Sequence, residues 1–226
     1  MMHEGPKVIF FDLDNTLYPH SSGVESHWKE VCVSYIEQNV GLSKQEASHA
    51  TLKYHIEYGL TVKGLTKYHS VCPVEFHAYL DGQLVLEELL QSDTALKEFL
   101  DKLQCKKWVF TNGYLSYAEK VLKILGVHDS FDGITSLDLS DPCLSCKPES
   151  VFFRRAMKDA GVELVEECLF VDDSLMNIRA AKELGWATVY VNEGKKESPE
   201  DMVQFIDHEI ENIFQLESIL PQEVFI

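Results

Sequence analysis

Four short apolar runs do most to limit what this chain can fold into. Lys7-Val-Ile-Phe-Phe-Asp12, Lys107-Trp-Val-Phe-Thr-Asn112, Cys168-Leu-Phe-Val-Asp-Asp173 and Ala187-Thr-Val-Tyr-Val-Asn192 are largely apolar, and each stops on polar or acidic residues. Apolar runs without alternation predict strands buried on both faces. Gly133-Ile-Thr-Ser-Leu137 is a weaker fifth candidate. Helical patterns lie between the runs. Tyr117 to Leu125 sets Ala118, Val121, Leu122 and Leu125 on one face, and Glu149 to Ala160 follows Pro148 at a first-turn position. Leu175 to Leu184 lies between Ser174, a good N-cap, and Gly185, a good stop. Strand–helix alternation predicts an α/β fold with a doubly wound parallel sheet. Ligands of such sheets bind beyond the carboxyl ends of the strands, where these polar residues fall.

The stretch from Tyr18 to Asp93 reads differently. Glu25 to Asn39, Ser43 to Tyr58, Val62 to Ser70 and Val74 to Leu80 are helix-like, separated by Gly41, Gly59 and Pro73. One crossover rarely needs four helices. The predicted organisation is a core of residues 1–17 and 94–226 with a helical cap of residues 18–93; the alternative is that these helices are crossovers of a larger sheet. From Glu197 to Ile226 there is no Lys or Arg, and Ile206, Ile210, Ile213, Phe214 and Leu216 predict a terminal helix with an acidic outer face.

Charge narrows the choice of partner. Twenty Lys and Arg against 37 Asp and Glu give a net charge of −17 over 226 residues. A duplex nucleic-acid binder needs a basic stripe, so no such partner is expected. A small anionic substrate stays possible, because one cation and one Lys can invert the local field. No apolar run reaches the roughly 18 residues of a membrane span, and Met1 to Lys7 lacks the regions of a signal peptide. The six scattered cysteines read as reduced thiols of a cytoplasmic protein, with the nucleus also open. Cys143-Leu-Ser-Cys146 has no partner pair that would make it a zinc site.

Chemistry concentrates at the strand ends. Asp12 and Asp14 are two carboxylates two residues apart just past a buried run. Such neighbours repel, and burial penalises both charges. A divalent cation relieves one and protonation the other, which suggests a nucleophile or metal ligand beside a general acid. Asp172-Asp173-Ser174 repeats the arrangement and could complete an oxygen-ligand site for a hard cation such as Mg²⁺. Helix capping would explain only one of these acids. Thr111-Asn112-Gly113 could donate to a phosphate, although it is also a common turn. Lys147, before Pro148, is on its own an ordinary surface charge.

Taken together and in this order, Asp-x-Asp, Thr-Asn-Gly, Lys-Pro and Asp-Asp-Ser resemble the four motifs of the haloacid dehalogenase superfamily, from Val8 to about Asn192. The resemblance implies a Rossmann-like core with an inserted C1-type cap and Mg²⁺ as cofactor. It implies Asp12 as nucleophile, forming an aspartyl-phosphate, and Asp14 as general acid and base. Mg²⁺ would be held by Asp12, by the backbone carbonyl of Asp14 and by Asp173, with Asp172 acting through a metal-bound water. Thr111 and Lys147 would bind the phosphoryl oxygens, helped by backbone N–H groups near Leu13, Asn112 and Gly113. Asn177 would position Lys147. Dehalogenases of the superfamily typically lack the second Asp, so Asp14 favours phosphatase chemistry.

Asp12-Leu-Asp-Asn-Thr-Leu-Tyr-Pro19 and Val171-Asp-Asp-Ser174, with Asn177 and Ala180-Ala181 after it, look like the pyrimidine 5′-nucleotidase branch. That implies a nucleoside monophosphate as substrate. The alternatives are a broader phosphatase of sugar, pyridoxal or lipid phosphates, and a non-catalytic interaction protein on the same scaffold. His20, Trp28, Tyr54, His55, Tyr58, Tyr68 and His69 are candidate base contacts, against the plainer expectation that cap aromatics are core.

Overall fold

The computed structural model describes residues 5–194 and 198–225. Six strands form one sheet: β1 (Val8–Phe11), β2 (Lys106–Tyr114), β3 (Gly133–Leu137), β4 (Cys168–Asp172), β5 (Ala187–Val191) and β6 (His208–Ile210). Their order is β3-β2-β1-β4-β5-β6, and every ladder is parallel. The fold is therefore the α/β, Rossmann-like arrangement that the apolar runs predict.

Period-2 alternation splits the strand residues between two cores. Ile9, Phe11, Val109, Val171 and Val189 face one side. Phe10, Phe110 and Phe170 face the other, packed on Phe152, Phe153 and Trp186. The Phe10 and Trp186 rings lie 4.6 Å apart, and Phe110 lies 4.9 Å from Phe152. Fully burying side chains of this size contributes about 1.5–3 kcal/mol each, so both faces of β1 are strongly specified.

Three helices follow the strands: α7 (Leu115–Leu125) after β2, α8 (Ser150–Ala160) before β4 and α9 (Leu175–Glu183) after it. Between β1 and β2 come α1 (Val24–Asn39), α2 (Lys44–Tyr58), α3 (Thr61–His69), α4 (Pro73–Gln83), the single turn α5 (Leu86–Leu89) and α6 (Thr94–Lys102). Local sequence sets their ends. Ser43 and Glu46 form a capping box at the start of α2, and Asp93 caps α6 by accepting the Leu96 N–H at 2.9 Å. The apolar cluster on the Ile9–Phe11 face continues into Val31, Ile36, Leu65 and Phe76, so α1 to α4 share one core with the sheet.

The terminal segment departs from its predicted helix. Asn192 donates its N–H to Ile210, and His208–Ile210 adds the edge strand β6 beside β5. Beyond it lie a 3-10 turn at Ile213–Gln215, the one-turn helix Leu216–Ile219 and a second 3-10 turn at Gln222–Val224. Ile210, Ile213 and Leu216 are buried as a helical face would require, but Phe214 is 41% exposed. Pairing the open edge of β5 satisfies backbone groups that a helix there would leave bare. The part of this segment at Glu197 and Ile226 lies outside the described residues. Among the described residues no helix is long and apolar enough to cross a membrane.

Candidate active site

Strand register assembles the site. Phe11 of β1 is level with Val109 of β2 and Val171 of β4, so Asp12 comes level with Phe110 and Asp172. The Asp12 N–H donates to the Val171 carbonyl at 2.9 Å, which fixes that level beyond the last paired residue. β1 lies between β2 and β4 where the strand order reverses, the position at which such sheets open a crevice.

At its centre is Lys147, 1% exposed. Its ammonium donates to Asp12 Oδ1 at 2.6 Å and to Asp172 Oδ2 at 2.7 Å, and it lies 5.3 Å from the rings of both Phe110 and Phe170. Burial opposes the charge, but Asp12 and Asp172 together outweigh it and hold the ammonium above its ordinary pKa. A buried cation between two carboxylates is stable only as a complete set.

Asp172 is fully buried and heavily engaged. Its Oδ1 accepts from the Ser174 N–H at 2.7 Å, and Asn177 Nδ2 reaches both oxygens at 3.1 Å. The start of α9 is thus capped by Asp172, while the Ser174 side chain makes no cap bond. Asn177 acts on Lys147 at one remove, through this carboxylate.

Asn112 holds the other side of Lys147. The Lys147 N–H donates to Asn112 Oδ1 at 2.7 Å, and Asn112 Nδ2 donates to the Lys147 carbonyl at 3.0 Å. Its side chain is spent on the lysine backbone and is not free to donate to a ligand. Thr111 is fully buried, and its Oγ1 accepts the Gly113 N–H at 2.9 Å, so the hydroxyl proton remains available while that N–H does not.

Asp14 is set apart from this cluster. Its Oδ1 accepts from the hydroxyls of Tyr18 and of Tyr117 on α7, the latter at 2.6 Å. Burial raises its pKa, an effect the two phenols and Lys147 partly offset. Burial and the Asp14 charge likewise keep both tyrosines protonated and donating.

One carboxylate oxygen from each of Asp12, Asp172 and Asp173 lies within 4.8 Å of the others, the one such group of three potential ligands among the described residues. Burial raises the Asp12 pKa, Lys147 opposes it, and Asp172, Asp173 and Asp14 add to the rise. Three acids around one ammonium leave surplus negative charge at hard oxygen donors, so the residues fit a cation such as Mg²⁺.

The aromatic candidates within residues 18–93 divide. Tyr54 stacks on Tyr68 at 5.6 Å and bonds His69 at 2.8 Å, while Tyr58 bonds Tyr68 at 2.8 Å. These four serve the packing of α2 on α3, and Trp28 packs on the main core. Of the candidates, His20 pairs with Glu25 at 2.8 Å, and Glu25 joins Asn15 beside Asp14 at 3.2 Å. His55 lies within reach of the charges of Glu25 and Lys29. Tyr117 and Glu25 carry no motif, and only the fold brings them to the site. Cys143 is exposed and Cys146 buried, both as free thiols.

A protein-family model of haloacid dehalogenase-like hydrolases matches residues 6–185, and the chain belongs to that family. Among individual relatives, it is 36% identical over 194 residues to phosphate metabolism protein 8 of Saccharomyces cerevisiae, covering 81% of this chain but 60% of that protein's length. It is 28% identical to the glyceraldehyde 3-phosphate phosphatase of Methanocaldococcus jannaschii, covering 95% of this chain and 96% of the relative. A solved HAD phosphatase from Thermococcus onnurineus superposes with a TM-score of 0.64 at 25% identity, covering 94% of this chain and 97% of the other.

Proposed function

We propose that this chain is a phosphomonoesterase that works through an aspartyl-phosphate on Asp12. The observation that carries it is the pairing of Asp12 with buried Lys147 at 2.6 Å while Asp14 is held separately by two phenols. Asp12 faces a cation and Asp14 faces two hydroxyl donors, so the two carboxyls stand in different settings within one pocket, as a nucleophile and a general acid must.

In the first half-reaction the Asp12 carboxylate attacks phosphorus, the P–O bond to the leaving group breaks, and Asp14 gives its proton to the leaving oxygen. In the second, Asp14 takes a proton from water as that water attacks phosphorus, which releases inorganic phosphate and restores Asp12. The Thr111 hydroxyl, the Lys147 ammonium and the Asn112 N–H receive the charge of the transferring group, the main catalytic contribution in phosphoryl transfer. Asp12, the backbone carbonyl of Asp14 and Asp173 would hold Mg²⁺ directly, with Asp172 behind them. The ion would supply charge neutralisation of the phosphoryl oxygens.

Helices α1 to α5, within residues 18–93, form the cap in this proposal, and the rest of the chain forms the catalytic core. The motif set around Asp12 and Asp172 favours nucleoside monophosphates such as UMP and CMP. The names of the archaeal relatives, which match nearly full length, favour small phosphorylated sugars as a second reading. A panel of phosphomonoesters read by phosphate release tests both. Turnover that needs Mg²⁺, stops with EDTA and ranks UMP and CMP first is the expected result. Similar rates across unrelated esters would remove the nucleotide assignment, and metal-independent turnover would remove the ion.

A further inference from the structure

The side chain of Asp14 is tethered through one oxygen. Its Oδ1 accepts from the phenol of Tyr117 at 2.6 Å and from that of Tyr18, and the two phenol oxygens lie 3.4 Å apart. Asp14 itself is half-buried. Its Oδ2 accepts no hydrogen bond among the described residues, and it is not one of the buried side-chain atoms left without a partner there. Oδ2 is therefore the oxygen that stays open to solvent.

The two phenols come from separate elements. Tyr18 stands four residues after Asp14, and Tyr117 is in the first turn of α7. They are 5% and 7% exposed, and both hydroxyls are engaged, so they act through Asp14 rather than on a substrate directly. Gly113 makes room for the second ring. A Cβ there would lie 2.8 Å from Cδ1 and 3.3 Å from Cε1 of Tyr117. Tyr114, with its ring 5.9 Å from that of Tyr117, leaves the phenol little space to swing away.

A carboxyl oxygen has two lone pairs, and two donors occupy both. Oδ2 alone can then carry a proton without displacing a phenol. The arrangement suits both states of the acid, because a carbonyl oxygen and a carboxylate oxygen each accept two donors. The group can give and take a proton at one atom without turning.

We propose that Tyr18 and Tyr117 are positioning residues: by saturating Oδ1 they aim Asp14 so that Oδ2 serves the leaving oxygen and then the attacking water. The proton departs from Oδ2 as the leaving oxygen takes the electron pair of the breaking P–O bond, and water returns a proton to Oδ2 in the second half-reaction. This role rests on the phosphatase reading and adds to it the two residues that orient its acid.

Phenyl phosphate and p-nitrophenyl phosphate test it. They share a ring, and the first needs a proton on its leaving oxygen far more than the second. The readout is the ratio of their kcat/KM values, each of which measures the barrier from free protein and ester. Damage to the fold or to the phosphate site lowers both together, so the ratio does not depend on how much protein is folded. Tyr117→Phe and Tyr18→Phe keep the ring and lose the donor. In each, phenyl phosphate should lose about tenfold more than p-nitrophenyl phosphate, part of the roughly 10²–10⁴-fold that a positioned acid contributes. Asp14→Asn should shift the ratio in the same direction and further. Each tyrosine variant tests the claim alone should the other fail to fold. A ratio that moves in Asp14→Asn and in neither tyrosine variant would overturn the positioning role while leaving the phosphatase reading intact. A ratio unmoved in Asp14→Asn, or wild-type protein that releases phosphate from neither ester nor from UMP, would overturn both.

Discussion

Asn112 and Lys147 clasp one another through two hydrogen bonds, the Lys147 N–H to Asn112 Oδ1 at 2.7 Å and Asn112 Nδ2 to the Lys147 carbonyl at 3.0 Å. The end of β2 thereby sets the position of a lysine 35 residues later in the chain. Asn112→Ala removes both bonds and leaves the lysine loop free to shift by a fraction of an ångström. Misplacement on that scale lowers rates, so kcat should fall about 10- to 100-fold. Lost hydrogen bonds in a half-buried site should cost about 1–3 kcal/mol in urea unfolding. A variant with wild-type kcat would show that the clasp does not position Lys147.

Lys147 itself should be far less replaceable. Lys147→Met leaves Asp12 and Asp172 buried without their cation. Breaking a buried ion pair from one side typically costs about 3–5 kcal/mol. The variant should be inactive and should melt well below the wild type. Added Mg²⁺ should recover part of the stability and none of the activity, as read by thermal melts with and without the ion. Equal melting temperatures for variant and wild type would contradict the structural role.

Gly59 follows α2 with φ +73, and a Cβ there would lie 2.5 Å from the Lys147 carbonyl oxygen and 3.4 Å from Cys146 Sγ. The contact is with backbone and cannot rotate away. Gly59→Ala should therefore push the turn between α2 and α3 off the lysine loop, costing about 1–3 kcal/mol together with the strained φ. Activity should fall with it, although Gly59 reaches no substrate. Unchanged stability and kcat would mean that the two loops are not in contact in solution.

His77 on α4 predicts an acid-side loss of stability. It is 7% exposed, both ring nitrogens lack partners, and its ring lies 4.5 Å from Tyr114. Burial lowers its pKa from the ordinary 6.5 to about 4. The unfolded chain then binds a proton between those values that the folded chain does not. Stability from this group is complete above pH 6.5, falls as the pH drops toward 4, and totals about 3 kcal/mol. His77→Phe removes the titration and the two unpaired nitrogens, so its unfolding midpoint should vary less across that window. Parallel pH curves for both proteins would contradict this.

The sheet was legible because strands buried on two faces advertise themselves as unbroken apolar runs, and Val8–Phe11 and Cys168–Asp172 show this most clearly. Asp12, Asp14, Lys147, Asp172 and Asp173 were legible because each stands at a strand end or helix start. What escaped depends on contacts distant in sequence. β6 is three residues long and exists by pairing the edge of β5, a relationship that a helical count of Ile206, Ile210 and Ile213 cannot detect. Tyr117 reads as the first apolar residue of a helix until the fold brings its hydroxyl to Asp14. Glu25 reads as an ordinary first-turn acid, and only Asn15 links it to the site. Asn112 reads as a phosphate donor from its place in a turn, but its side chain grips the Lys147 backbone.

The central claim is a phosphoryl group carried on Asp12. Protein quenched in acid during turnover of a labelled substrate should retain label that hydroxylamine releases, and borohydride reduction followed by peptide mass spectrometry should place it at residue 12. Asp12→Asn should fold, retain no label and release no phosphate. Label on another residue, or an Asp12→Asn protein that turns over at the wild-type rate, would contradict the account.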